Sequence, residues 1–255
     1  MRVLAKKSLV QLLVIFILST AIFCSCRQTD ELKLEIGRDF SYWESTDDST
    51  LWDAMKNARE FKKLEDYSEH NLMNIFGKGR HYVWLRADFD IPEQFRNQPL
   101  GLVIPHLRFA GQLWCNNTFI SHYGSFPPRL QSTMFKAHFF NFPVNILKQD
   151  GRNTILLKVF VYGDSGISSH AFIQPTRFSY FNYEKINFLN TRLYMFFSGI
   201  MLFTSLLFAA LYFNIRTLKA FRGFSMLNFF ASFFLIYFFA TEIPVYENGM
   251  IPHLV

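Results

Sequence analysis

Residues 82–92, with the sequence YVWLRADFDIP, carry the clearest strand pattern of the chain. Apolar side chains occupy every second position, namely Val83, Leu85, Ala87, Phe89 and Ile91. A period of two is typical of a strand that has one face against a hydrophobic core. Because Pro92 has no backbone N–H to donate, the strand is expected to end there. The pattern predicts a half-buried β-strand.

Similar short strands are predicted on the C-terminal side of this stretch, at 100–107, 113–115, 118–120, 139–144, 155–162 and 172–178. Asn116 and Asn117 separate the second and third of them, and two residues that tolerate positive φ predict a tight hairpin. Helical spacing is confined to residues 50–60, after possible N-caps at 48–50, and to 182–192. Short strands divided by turn residues favour a mainly β protein with a β-sandwich.

Two uncharged stretches follow, at 194–213 and 224–240. Each is close to the ~20 apolar residues that an α-helix needs to cross a bilayer. The turn between them carries Arg216, Lys219 and Arg222 and no acid, which is typical of a cytoplasmic loop. We therefore expect two transmembrane helices, with the sandwich on the far side of a bacterial inner membrane.

The N-terminus predicts export independently. Arg2, Lys6 and Lys7 precede an apolar run at 9–23, the layout of a signal peptide. Residues 23–26 (FCSC) resemble a loose lipoprotein processing site, which makes Cys26 a lipidation candidate. Plain cleavage and an uncleaved anchor are the alternatives.

The expected organisation has seven parts. They are a signal at 1–26, the sandwich at 27–180, a juxtamembrane helix at 181–193, a transmembrane helix at 194–213, a basic turn at 214–223, a second transmembrane helix at 224–241 and an outer segment at 242–255. The chain is expected to be truncated after that last segment.

Composition excludes several function classes. The net charge of +6 is spread along the chain without a basic stripe, so no nucleic acid is expected as a partner. The seven histidines do not fall at metal-ligand spacings, and neither a metal nor a cofactor is predicted. Asp88 and Asp90 could form a hydrolytic carboxylate pair, but a solvated strand face explains them better. No enzyme is expected.

The order of motifs from residue 82 to about 167 resembles a known domain. Residues 82–92, 112–124 (QLWCNNTFISHYG), 126–128 (FPP) and 151–161 (GRNTILLKVFV) are similar to the galactose-binding-like jelly roll of β-galactosidases and β-glucuronidases. The chain departs from that pattern at Asn117, where the family prefers Gly. A jelly roll joined to membrane helices resembles the N-terminal part of bacterial seven-transmembrane receptors with diverse intracellular signalling modules.

This resemblance implies a sensor that binds a carbohydrate or another small ligand and couples it to the membrane helices and to a downstream signalling module or protein partner. Small-ligand sites combine aromatic walls with a few directed polar groups. The candidate binding residues are Trp84, Trp114, His122, Tyr123, Arg129, Tyr162 and Asp164. The alternative is a non-catalytic envelope protein whose sandwich docks another protein or a glycan.

Overall fold

The computed structural model describes residues 33–47, 49–68, 71–108, 110–132, 136–163, 165–215, 219–239 and 243–244. The chain divides into two compact units, Met1–Lys33 and Leu34–Val255. Apart from Lys33, every described residue belongs to the second unit. The predicted signal peptide and the lipidation candidate Cys26 lie outside the described residues.

Antiparallel strands form two main sheets, one of six strands in the order β3-β2-β4-β10-β6-β7 and one of four in the order β1-β11-β5-β9. The strands are β1 (Leu34–Glu35), β2 (Ser41–Ser45), β3 (Lys62–Lys63), β4 (Arg80–Phe89), β5 (Leu100–Ile104), β6 (Ala110–Cys115), β7 (Thr118–Tyr123), β8 (Gln131–Ser132), β9 (His138–Phe142), β10 (Asn153–Tyr162), β11 (Phe172–Pro175) and β12 (Ile243–Pro244). The predicted mainly β class is confirmed.

Five α-helices complete the described part of the chain. They are α1 (Leu51–Lys56), α2 (Asn71–Phe76), α3 (Thr176–Asn187), α4 (Leu193–Asn214) and α5 (Lys219–Phe239). A π-helical turn, Phe188–Arg192, joins α3 to α4, so a continuous helix of 39 residues runs from Thr176 to Asn214.

The core lies between the two sheets. The alternating residues of β4, Val83 to Phe89, are buried there and face Leu100, Leu102 and Ile173 of the four-stranded sheet. Leu157, Val159 and Val161 of the central strand β10 join the same cluster. The face predicted from the alternation in residues 82–92 is therefore the face that meets the core.

The hairpin between β6 and β7 has the predicted two-residue turn. Cys115 pairs with Thr118, and the residues between them, Asn116 and Asn117, have φ values of 46° and 69°. Asn tolerates this left-handed conformation better than most residues. The Asn116 side chain also donates to Asn153 Oδ1 at 2.7 Å, which ties the turn to the start of β10.

Helix α1 covers the outer face of the six-stranded sheet. Thr50 caps the helix in a capping box with Asp53, whose carboxylate accepts from the Thr50 backbone N–H at 2.7 Å. Ala54 of α1 packs in a cluster with Trp84 and Leu156. Trp84 is consequently 0% exposed, although the alternation of β4 had placed it on the polar face.

Helix α3 crosses the outer face of the four-stranded sheet, and it begins inside the predicted strand 172–178. Pro175 cannot extend the hydrogen-bond ladder, and from Thr176 the helical period brings buried Ser179 and Asn182 onto the sheet. Ser179 Oγ donates to Gly101 O at 2.7 Å, and Asn182 Nδ2 donates to Gln174 Oε1 at 2.8 Å. These bonds fasten α3 to the sandwich.

Gly101 is the point of closest approach between α3 and the sheet. A Cβ atom there would lie 2.6 Å from Phe139 Cε2 and 2.7 Å from Ser179 Cβ. We expect Gly101→Ala to lower the free energy of unfolding by about 1–3 kcal/mol, because helix and strand must separate to admit the methyl group. Urea unfolding followed by tryptophan fluorescence would measure it. Gly151→Ala is the control, since nothing lies within 4 Å of its added Cβ; equal effects of the two substitutions would contradict the prediction.

Helices α4 and α5 pack against each other as a hairpin. Ser198 Oγ donates to Ser232 O at 3.1 Å and Ser205 Oγ donates to Ser225 O at 2.8 Å, while the large apolar side chains of both helices are mostly exposed. Among the described residues, one helix is long and apolar enough to span a membrane, Thr176–Asn214.

The chain returns to the sandwich after α5. Strand β12 pairs with β8, with Ile243 opposite Ser132 and Pro244 opposite Gln131. Strands β8 and β12 form a separate two-stranded sheet, and β8 is linked to the residues after β7 by a bridge between Ser125 and Gln131.

Candidate functional site

A cleft of about 360 Å³ lies where β7 and β9, edge strands of the two sheets, meet. Its lining comes from the end of β7, from β8 and β9, and from α3. The lining residues are Ser121, His122, Tyr123, Gly124, Ser125, Gln131, Lys136, Ala137, His138, Phe139, Phe140 and Tyr183. The volume matches that of a small-ligand pocket.

Two aromatic rings, tilted by 43° to each other, form the buried part of the cleft. The Tyr123 ring lies 4.3 Å from the His138 ring, and their residues are 7% and 6% exposed. His138 Nε2 lies 3.1 Å from Leu107 O, so the neutral imidazole donates to that carbonyl. Tyr123 Oη is buried and has no hydrogen-bond partner among the described residues. A buried hydroxyl without an acceptor costs about 1–3 kcal/mol.

Burial sets the protonation of both rings. Desolvation raises the pKa of Tyr123 well above 10.0, so the phenol keeps its proton. Burial lowers the pKa of His138 from 6.5 to about 3; the hydrogen bond to Leu107 O opposes this shift, and the positive charge of Lys136 adds to it. At neutral pH, the cleft therefore holds a neutral imidazole and a protonated phenol.

Helix α3 forms one wall of the cleft. The Tyr183 ring lies 5.8 Å from the Phe139 ring, and the Tyr180 ring lies 5.6 Å from it. One turn further along, Asn187 Oδ1 accepts from the Ala137 backbone N–H at 2.9 Å. The segment that carries Lys136 and His138 is thus bonded directly to the helix that continues into α4.

Of the predicted binding residues, His122 and Tyr123 line this cleft. Arg129 is exposed in the loop after the cis Pro127–Pro128 bond. Tyr162 is half-buried beside Phe160, and half-buried Trp114 packs on the buried Trp84 at 5.1 Å. Asp164 lies outside the described residues. The described members of the predicted set therefore do not converge on one site, and ligand binding by them stays a prediction.

Lys136, His138 and Tyr183 were absent from the predicted set. Lys136 and His138 follow a stretch without clear periodicity, and Tyr183 lies in a helix predicted only as a connector. No local pattern distinguishes them, because β9 and α3 become neighbours of β7 only when the two sheets close.

Of the two carboxylates weighed for catalysis, Asp90 is exposed and Asp88 has structural partners. Asp88 accepts from Arg86 Nη2 at 3.0 Å and from Thr154 Oγ1 at 2.6 Å. Within the described ranges, no group of three or more His, Cys, Asp or Glu side chains could hold a metal ion.

No family model matches the chain, and no curated protein matches it. Among solved structures, the β-glucuronidase of Bacteroides uniformis is similar with a TM-score of 0.42 and 13% identity, over 56% of this chain and 18% of the enzyme. The β-glucuronidase from Ruminococcus gnavus in complex with C6-substituted uronic isofagomine gives 0.40 and 11%, over 57% and 30%. The chain spans less than a third of either enzyme, and similarities this loose carry no argument about function.

Proposed function

We propose that this chain is the sensor portion of a membrane signalling receptor, in which the cleft binds a carbohydrate or another small ligand. In this proposal the sandwich is an exported, galactose-binding-like jelly roll outside a bacterial inner membrane. Helices α4 and α5 cross that membrane, and a signalling module or protein partner receives the output.

One observation carries the proposal: Tyr183 lines the cleft and belongs to the helix that runs unbroken from Thr176 to Asn214. A ligand that contacts Tyr183 therefore contacts the same rigid element that would enter the membrane. Gln131, another lining residue of the cleft, pairs with Pro244, which follows α5. The segment before α4 thus lines the cleft, and the segment after α5 pairs with a strand that lines it.

Coupling requires that the ligand bind two conformations of the chain with different affinity. A ligand seated between β7, β9 and α3 meets this condition if α3 moves relative to the sheets, because the contacts of Tyr183 would then change. The Ala137–Asn187 hydrogen bond would change together with them.

The test is a thermal-stability screen of the full chain in nanodiscs against neutral and acidic mono- and disaccharides and small metabolites. We expect at least one compound to stabilise the protein, by about 2.7 kcal/mol at a hundredfold excess over its Kd. Tyr183→Ala should abolish this stabilisation. Tyr180→Ala is the matched control, because Tyr180 also packs on Phe139 but does not line the cleft.

A folded protein that no compound stabilises would contradict the sensor proposal. Crosslinking in intact membranes would then decide for the alternative, since a stoichiometric partner on the sandwich would indicate an assembly role. Equal loss of binding in Tyr180→Ala and Tyr183→Ala would indicate that the helix only supports the fold.

A further inference from the structure

Apart from two tyrosines, the described titratable side chains that line the cleft are all basic. None of its twelve described lining residues is Asp or Glu, whereas Lys136 contributes a cation and His122 and His138 contribute imidazoles. A site with a cation and no carboxylate favours anionic ligands over neutral ones.

Lys136 has no carboxylate partner within ion-pair distance among the described residues. The residue is half-buried, and its positive charge acts on the neighbouring His138 ring by lowering the pKa of that imidazole. The hydrogen bond from Ala137 to Asn187 fixes the backbone directly after it. A positioned, unpaired lysine is a common way to bind carboxylate or phosphate groups.

The cleft contains further hydrogen-bond donors. The hydroxyls of Ser121 and Ser125 and the amide of Gln131 line the same cleft. The Tyr123 hydroxyl is not one of these donors, because it is fully buried against Gly111, which does not line this cleft. The lining is thus rich in donors, while the rings of Tyr123, Phe139 and Tyr183 supply apolar walls.

We propose that the cleft binds a sugar-sized anion, with Lys136 pairing with its carboxylate or phosphate group and the aromatic rings contacting its carbon skeleton. This inference rests on the proposed function, because it names the chemistry of the ligand that the sensor takes. His122, at the exposed rim, would contact the part of the ligand that remains in solvent.

The test compares three forms of one hexose by calorimetry on the full chain in nanodiscs of uncharged lipid. D-galactose is the neutral probe, D-galacturonate presents a carboxylate and D-galactose 6-phosphate presents a phosphate. We expect one of the two acids to bind at least tenfold more tightly than galactose. The better acid distinguishes the two anionic groups.

Substitution of the lysine should remove this preference. Lys136→Gln is expected to weaken binding of the acid at least tenfold and of galactose less than twofold, while Lys136→Arg keeps most of the affinity. Lys78→Gln, which removes an exposed lysine that does not line the cleft, is the control and should bind like the parent protein.

Two results would overturn the anionic ligand and leave the sensor intact: galactose binding as tightly as both acids, or an acid affinity unchanged in Lys136→Gln. If none of the three sugars binds, the charge of the compounds that stabilise the chain in the wider screen decides whether the cleft takes an anionic ligand. Neutral compounds alone would overturn the inference, acidic compounds whose effect depends on Lys136 would support it, and the absence of any compound would overturn both proposals.

Discussion

Replacing Trp84 by Ala is expected to destabilise the sandwich by about 3–5 kcal/mol, a large part of the stability of a domain of this size. The Trp84 side chain is fully buried between the six-stranded sheet and α1, where it packs with Ala54 and Leu156. Its Nε1 donates to Ser49 Oγ at 2.9 Å, so truncation removes both a large apolar volume and a hydrogen bond. Urea unfolding monitored by circular dichroism would measure the loss.

Trp52→Ala provides the matched control, because Trp52 lies on the same helix α1 but is 71% exposed. Its effect should stay within about 0.5 kcal/mol. A Trp84→Ala variant as stable as Trp52→Ala would show that α1 does not cover the sheet. Trp84 would then be available to a ligand, as its place in the predicted binding set requires.

Acid is expected to destabilise the cleft through His138. Its pKa is about 3 in the folded chain and 6.5 in the unfolded chain, so between these values the unfolded state binds more protons. The contribution of the neutral His138 side chain to the free energy of unfolding is therefore fully present above about pH 6.5, and it is lost as the pH falls towards 3. At about 1.4 kcal/mol for each pKa unit, the loss amounts to several kcal/mol.

The measurement is the pH dependence of urea unfolding for His138→Gln and for the parent chain. Gln can still donate to Leu107 O but does not titrate. The free energy of unfolding of His138→Gln should therefore fall less steeply below pH 6.5 than that of the parent chain. His170→Gln is the control, since His170 is exposed. Identical slopes for His138→Gln and the parent chain would show that His138 is not buried in the neutral form.

The sequence was sufficient to predict features that depend on one short segment of the chain. Alternation in residues 82–92 identified the buried side of β4, and Asn116-Asn117 identified the hairpin, because both signals are local. The outer face of β4 could not be predicted in the same way. Trp84 stands among polar residues, and only the packing of α1 on the sheet buries it.

Contacts between distant segments explain the other differences. The position of α3 on the four-stranded sheet depends on Ser179, which donates to Gly101, 78 positions away in the chain. The cleft depends on β7 and β9 closing together. Its lysine, its buried histidine and Tyr183 belong to separate segments, so no motif could contain all three. The periodicity of apolar residues predicted the strands, but it could not predict the cleft between β7 and β9.

The π-helical turn Phe188–Arg192 determines how α4 is rotated about the helix axis relative to α3. Such a turn takes in one residue more than an α-helical turn, and each residue of an α-helix corresponds to a rotation of roughly 100°. Ser179 and Asn182 before the turn meet the sheet, whereas Ser198 and Ser205 after it meet α5. Deleting one residue from the turn would rotate one set of polar groups away from its partners. The extra residue sets the angle between the face of the helix that contacts the sheet and the face that contacts α5. It therefore also sets the direction in which a rotation of α3 would move the α4 face.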